Sequence, residues 1–139
     1  MPRLSVWMVR AALLHLGIGF SVGALLLFNK GAAFEATIWR VLQVHVEMLM
    51  FGWIIQLAMG VAFWILPRFA RPPKHGRVWL AVVAFTLINL GVLCSAAGQW
   101  FGIRELELAG RVGILFAGLS FAIHIFPRVK PMEFVSGSG

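Results

Sequence analysis

Residues 45–69 read HVEMLMFGWIIQLAMGVAFWILPRF, and this stretch decides the fold. After His45 and Glu47 no ionisable side chain appears until Arg68, an uncharged run close to the roughly 20 residues a helix needs to cross a hydrocarbon core. The imidazole and the carboxylate sit at the start of that run. Ionisable groups inside lipid are costly and commonly mark a site that binds or moves something.

Outward from this segment the same pattern recurs. Apolar stretches near residues 11–28, 41–66, 78–101 and 108–126 are each long enough to span. Of 139 residues 60% are hydrophobic and 12% charged, with a mean hydropathy of +0.90, the composition of a polytopic membrane protein and not of a soluble domain. Backbone polar groups in lipid must be satisfied within each segment, which makes the spans helical, and short connections make successive spans antiparallel neighbours. The expected fold class is therefore an all-α membrane protein, a four-transmembrane-helix antiparallel bundle. Residues 1–131 form its single domain, and residues 132–139 read as a flexible tail or cloning remnant.

Basic residues are unevenly shared between the two ends of the spans. Arg3, Arg10, Arg68, Arg71, Lys74, Arg77, Arg128 and Lys130 fall on one side, against Lys30, Arg40, Arg104 and Arg111 on the other. By the positive-inside rule both termini are cytoplasmic. The net charge of +7 is then mostly topology, with the lipid bilayer and its anionic headgroups as counter-surface and no nucleic-acid partner expected. The first span carries no small-residue cleavage pattern and reads as a retained helix. A bacterial or archaeal cytoplasmic membrane suits this organisation.

Pro67 and Pro127 stand where spans two and four reach the basic edge, in matching Leu66-Pro67-Arg68 and Phe126-Pro127-Arg128 endings. Small residues line the later spans: Gly91, Cys94, Ser95, Gly98 and Gly102 on the third, Gly110, Gly113, Ala117 and Ser120 on the fourth. Such stripes let backbones approach closely, and they also leave room for a flat ligand. The single Cys94 excludes an internal disulfide and covalent haem attachment through a Cys pair.

Three histidines, His15, His45 and His124, lie within spans. A neutral imidazole in lipid needs a partner for each nitrogen; a metal serves one and a carbonyl or carboxylate the other. An interhelical hydrogen bond is the alternative. His15 and His124 fall at similar depth, so they are candidates for a second axial ligand or a second site, with copper a lesser option because two imidazoles leave its coordination incomplete. On a helix of 3.6 residues per turn His45, Gly52, Gln56 and Phe63 form one stripe flanked by Met48 and Met59. Gly52 lacks a side chain two turns from the imidazole and opens space for the edge of a macrocycle. Glu47 points to the opposite side and needs a cation, and Arg111 at comparable depth on the fourth span is expected to form a structural ion pair with it.

The run from His45 through Glu47, Met48 and Gly52 to Trp53, continued by Gly60 and Phe63-Trp-Ile-Leu-Pro67-Arg, resembles the second transmembrane helix of haem-copper oxidase subunit I and of the nitric oxide reductase large subunit. It is also similar to the H-x-E-M-L-x-F-G stretch of the NnrS family. The resemblance implies haem b (protohaem IX) with His45 as the iron's axial ligand, and Gly52, Gln56, Met48, Met59 and Phe63 around the macrocycle. It covers about 25 of 139 residues. That superfamily has about three times as many spans, and its copper site needs further histidines that are missing here, as are Tyr and Asp. No oxygen-reducing centre is therefore expected, and the chain reads as a carrier of electrons or a binder of a diatomic gas such as nitric oxide, served by a redox partner or the gas itself, more than as an enzyme. A homo-oligomer, with a trimer favoured, would rebuild the superfamily's outline from four-helix units. The competing reading is a cofactor-free structural or channel-like membrane oligomer.

Overall fold

A computed structural model describes residues 2–32, 35–66 and 77–129. These residues are helical throughout, apart from short connections. Helix α1 runs Arg3–Ala32. The second span opens with a 3-10 segment, Ala36–Val41, and continues as α2, Leu42–Glu47. It passes through a wider π-helical stretch, Met48–Ile55, and ends as α3, Gln56–Ile65. Helices α4, Val78–Phe101, and α5, Arg104–Ile125, complete the set. Four helical segments are thus long and apolar enough to cross a membrane: Arg3–Ala32, Ile38–Ile65, Val78–Phe101 and Arg104–Arg128. The first and last reach a turn or more beyond the apolar cores read from hydropathy, because Arg3, Arg10 and Arg104 continue their helices. The prolines and cations of residues 67–76, His75 among them, together with Lys130 and the tail at 132–139, lie outside the described residues.

The distribution of side chains is that of a bundle solvated by hydrocarbon. Leu14, Leu27 and Phe126 are at least two-thirds exposed, while Ser5, Gln56 and Ser95 are fully buried. In water this arrangement would be reversed. On α1 the buried positions Ser5, Met8, Ala12, His15 and Gly19 are spaced three and four apart, a single stripe against the second span. Its contacts step backwards along that span: Gly23 meets His45, Gly19 meets Leu49, and Met8 meets Gly60. Ser5 Oγ donates to Gly60 O at 2.7 Å and Gln56 Nε2 donates to Met8 O at 3.4 Å.

Helices α4 and α5 make the closest pair. A Cβ at Gly91 would lie 2.7 Å from Gly110 O, and one at Gly98 would collide with the backbone of Glu107. The small-residue stripes are therefore filled by the neighbouring backbone, leaving no flat slot between these two helices. Ser120 Oγ donates to Leu80 O at 2.9 Å farther along the pair. Gly102, at φ +70°, ends α4 in a left-handed conformation that costs other residues more. The N–H of Ile103 then closes on Gly98 O at 2.8 Å, a Schellman-type end that turns the chain into α5 at once.

Apolar contacts join all four spans in two clusters. One holds Met8, Met59, Phe63, Ala84, Ile88 and Phe121; the other Leu26, Val44, Met48, Val92 and Ile114.

Candidate functional site

All three intramembrane histidines use Nδ1 in the same way. His15 bonds Ala11 O at 2.9 Å, His45 bonds Gly19 O at 2.7 Å, and His124 bonds Arg77 O at 3.1 Å. A carbonyl only accepts, so each Nδ1 carries the proton, and in the neutral ring the Nε2 lone pair is left to face another partner. For His15 and His45 that Nε2 has no hydrogen-bond partner among the described residues. An axial imidazole on haem iron has the same requirements: one nitrogen anchored and the other open.

The two rings interlock across α1 and the second span. A Cβ at Gly52 would lie 2.6 Å from His15 Cγ, and a Cβ at Gly23 would lie 2.5 Å from His45 Cε1. Each helix thus sends an imidazole into a glycine notch on the other. Gly23 stands eight residues after His15 and Gly52 seven after His45, so the two notches are about 10–12 Å apart along the helices. Paired His and Gly at that matched spacing is a signal present in the sequence, and Gly23 is the member of it that a reading of hydropathy alone misses.

This interlock corrects the expected macrocycle stripe. The space at Gly52 is taken by the His15 ring, because a residue without a side chain lets α1 approach that far. Gln56 is fully buried beneath Met8, and Met48, Met59 and Phe63 are packed into the two apolar clusters. In this packing those five residues leave no porphyrin-sized gap among the described residues, whereas the half-buried His45 keeps an Nε2 with no hydrogen-bond partner among them.

His15 and His124 are not brought together. His15 lies on Gly52, while the His124 ring stacks on Phe63 with centroids 5.4 Å apart, eleven residues, or about 16 Å, farther along the same span. Among the described residues no cluster of three or more His, Cys, Asp or Glu is placed to hold a metal ion. Beside His124 stands Arg128, placed by hydropathy at an interfacial edge but 1% exposed in the structure. Its Nη2 donates to Phe63 O at 3.2 Å and Leu66 O at 2.8 Å, carbonyls at the C-terminal end of the second span.

On the other side of that span Arg111 Nε donates to Glu47 Oε1 at 3.2 Å, and Arg111 Nη2 reaches Glu107 Oε1 at 2.8 Å. Glu47 is buried, and its Oε2 has no donor among the described residues. Both His45 and Glu47 precede the π stretch, so α2 can face α1 and α5 with its two ionisable groups while α3 keeps its own register on Met8 and Phe121.

No family model, curated protein or solved structure matches this chain.

Proposed function

We propose that the chain is a membrane haem b protein in which His45 Nε2 is an axial ligand, serving electron transfer or the binding of a diatomic gas. The observation that carries this reading is the His45 imidazole, held through Nδ1 by Gly19 O with Nε2 lacking a partner among the described residues in an apolar setting. Bound haem would supply the redox couple or the gas-binding iron. Because the core residues beside His45 are consumed by packing, the macrocycle belongs on the outer flank of the α1–α2 pair, at a contact between copies of the chain. A homotrimer of antiparallel four-helix bundles with cytoplasmic termini, in a bacterial or archaeal membrane, agrees with the charge distribution and with that placement. A second reading draws on the reciprocal His–Gly notches, which give His15 and His45 a packing role without any cofactor.

A reduced-minus-oxidised visible spectrum of the purified full chain, with and without carbon monoxide, decides between them. A Soret band that vanishes in His45→Ala while the chain remains folded is expected. A preparation that stays colourless after haem supplementation would leave only the packing role. Copper beside His15 or His124 is the lesser option, and metal analysis tests it.

A further inference from the structure

Three cavities lie in succession along one seam between the second span and helices α4 and α5, each sharing lining residues with the next, and together they mark a cleft. The mouth, about 470 Å³, lies at the helix ends and is lined by Arg40, Gln43, Gln99, Arg104 and Glu107. Gln43 also lines the neck, about 240 Å³, with Glu47, Arg111, Phe51 and Ile114. Phe51 and Ile114 in turn line a trough of about 290 Å³, completed by Ile55, Ile88, Leu115, Gly118 and Leu119 and almost wholly apolar.

The chemistry changes along this cleft as it does along a lipid. Arg40 and Arg104 at the mouth have no carboxylate partner among the described residues, since Glu107 is engaged by Arg111. Guanidinium groups at that level suit a phosphate. In the neck the buried Glu47 Oε2 lacks a donor, and a buried carboxylate oxygen in lipid is costly to leave unmatched. A ligand reaching the neck is therefore selected for a hydroxyl there. A single apolar trough, the one lined by Phe51 and Ile114, continues below among the described residues.

We propose that this cleft binds a monoacyl glycerophospholipid, with its phosphate between Arg40 and Arg104, its free glycerol hydroxyl donating to Glu47 Oε2, and its single chain in the trough past Gly118. Diacyl lipids lack that hydroxyl and carry a second chain; monoacylglycerols lack the phosphate. The cleft lies across the second span from His45, so the site stands or falls independently of haem.

Phosphocholine lipids isolate the recognition element, because their headgroup has no donor and the free sn-2 hydroxyl is the sole one. Native mass spectrometry of the full chain in detergent, with 1-oleoyl-lysophosphatidylcholine, dioleoylphosphatidylcholine and monoolein offered at equal concentration, reads retention directly. At least tenfold preference for the lysolipid is expected. Arg40→Gln/Arg104→Gln should cut lysolipid retention at least tenfold and abolish its preference over monoolein, and Arg3→Gln/Arg10→Gln at the opposite end should leave both intact. Gly118→Phe provides a test that spares the fold, as no atom lies within 4 Å of a Cβ placed there; it should fill the trough and cut retention tenfold with an unchanged melting temperature. Equal retention of the three lipids, or wild-type retention in both the Arg40/Arg104 and Gly118 variants, would overturn the proposal.

Discussion

The imidazole of His15 occupies the place that a side chain at Gly52 would need, 2.6 Å from where its Cβ would stand. The ring is tethered through Nδ1 to the carbonyl one turn earlier in its own helix, so it cannot swing aside without losing that bond. At this level the contact between α1 and the second span depends on the missing Cβ of Gly52, as it depends on Gly19 and Gly23 nearer the other end. Gly52→Ala should destabilise the protein by about 1–3 kcal/mol, as overpacking of a filled site does. His15→Ala in the same chain should restore much of the loss, and thermal unfolding in detergent measures both. An additive double variant would show that the two positions do not act through this contact.

Glu47 and Arg111 are unequal partners. The carboxylate is buried and the guanidinium half-exposed, so removing the cation strands a charge in lipid while removing the acid leaves a half-exposed cation still paired with Glu107. Arg111→Gln is expected to cost more stability than Glu47→Gln, by about 1–2 kcal/mol, and Glu47→Gln/Arg111→Gln should recover most of the difference. A double-mutant cycle on the melting temperature measures the coupling.

Arg128 closes the end of the second span from another helix. Its planar fork places Nη2 on two carbonyls, at Phe63 and Leu66, and Nη1 on His124 Nε2, a spread over two nitrogens that the single nitrogen of an ammonium cannot copy. Arg128→Lys should therefore lose nearly as much stability as Arg128→Gln, about 2 kcal/mol for two charge-assisted bonds partly replaced by water. Proteolysis near residue 66 should accelerate in both variants, and a protected Arg128→Lys protein would mean that charge alone suffices.

His45 lends itself to chemical rescue. If its Nε2 ligates haem iron, His45→Gly should lose the Soret band, and free imidazole should restore it by entering the notch beside Gly23. Rescue of stability by imidazole without spectral recovery would assign the ring to packing alone.

Gly98 and Gly110 set the spacing of α4 and α5. Gly98→Leu forces a side chain into the backbone of Glu107 and should cost more than Gly118→Leu, whose position is open. Comparative melting of the two variants checks the order.

Much of this is legible in the sequence. Apolar run length locates the four membrane-length helices, since that depends on composition alone, and counting depth from the span edges pairs Glu47 with Arg111, whose contact is present at 3.2 Å. Helix rotation is not legible in hydropathy, and that is where expectation and structure part: Gly52 faces His15 and not an open slot, and His124 faces Phe63 and Arg128 and not His15. Arg128 reads as a topology signal because its reach back to Leu66 crosses more than sixty residues of chain. The π stretch at Met48–Ile55 is likewise hidden, and it invalidates a stripe drawn at a uniform 3.6 residues per turn through His45 and Phe63.

Because Met48–Ile55 is wound more loosely than its flanks, the second span holds about one residue more than a uniform coil of that height requires. Deleting Met50 would let the segment tighten towards a regular coil, and because the loose turns have absorbed that residue locally, His45 and Phe63 would keep roughly their present phase. Deleting Ala58 from the regular turns of α3 leaves nothing to absorb the loss and would rotate the half that carries His45 by about 100° against the half that carries Phe63. The surplus amino acid is thus slack that this rod can give up, and a chain shortened in its loose turns would assemble normally where one shortened in α3 would not.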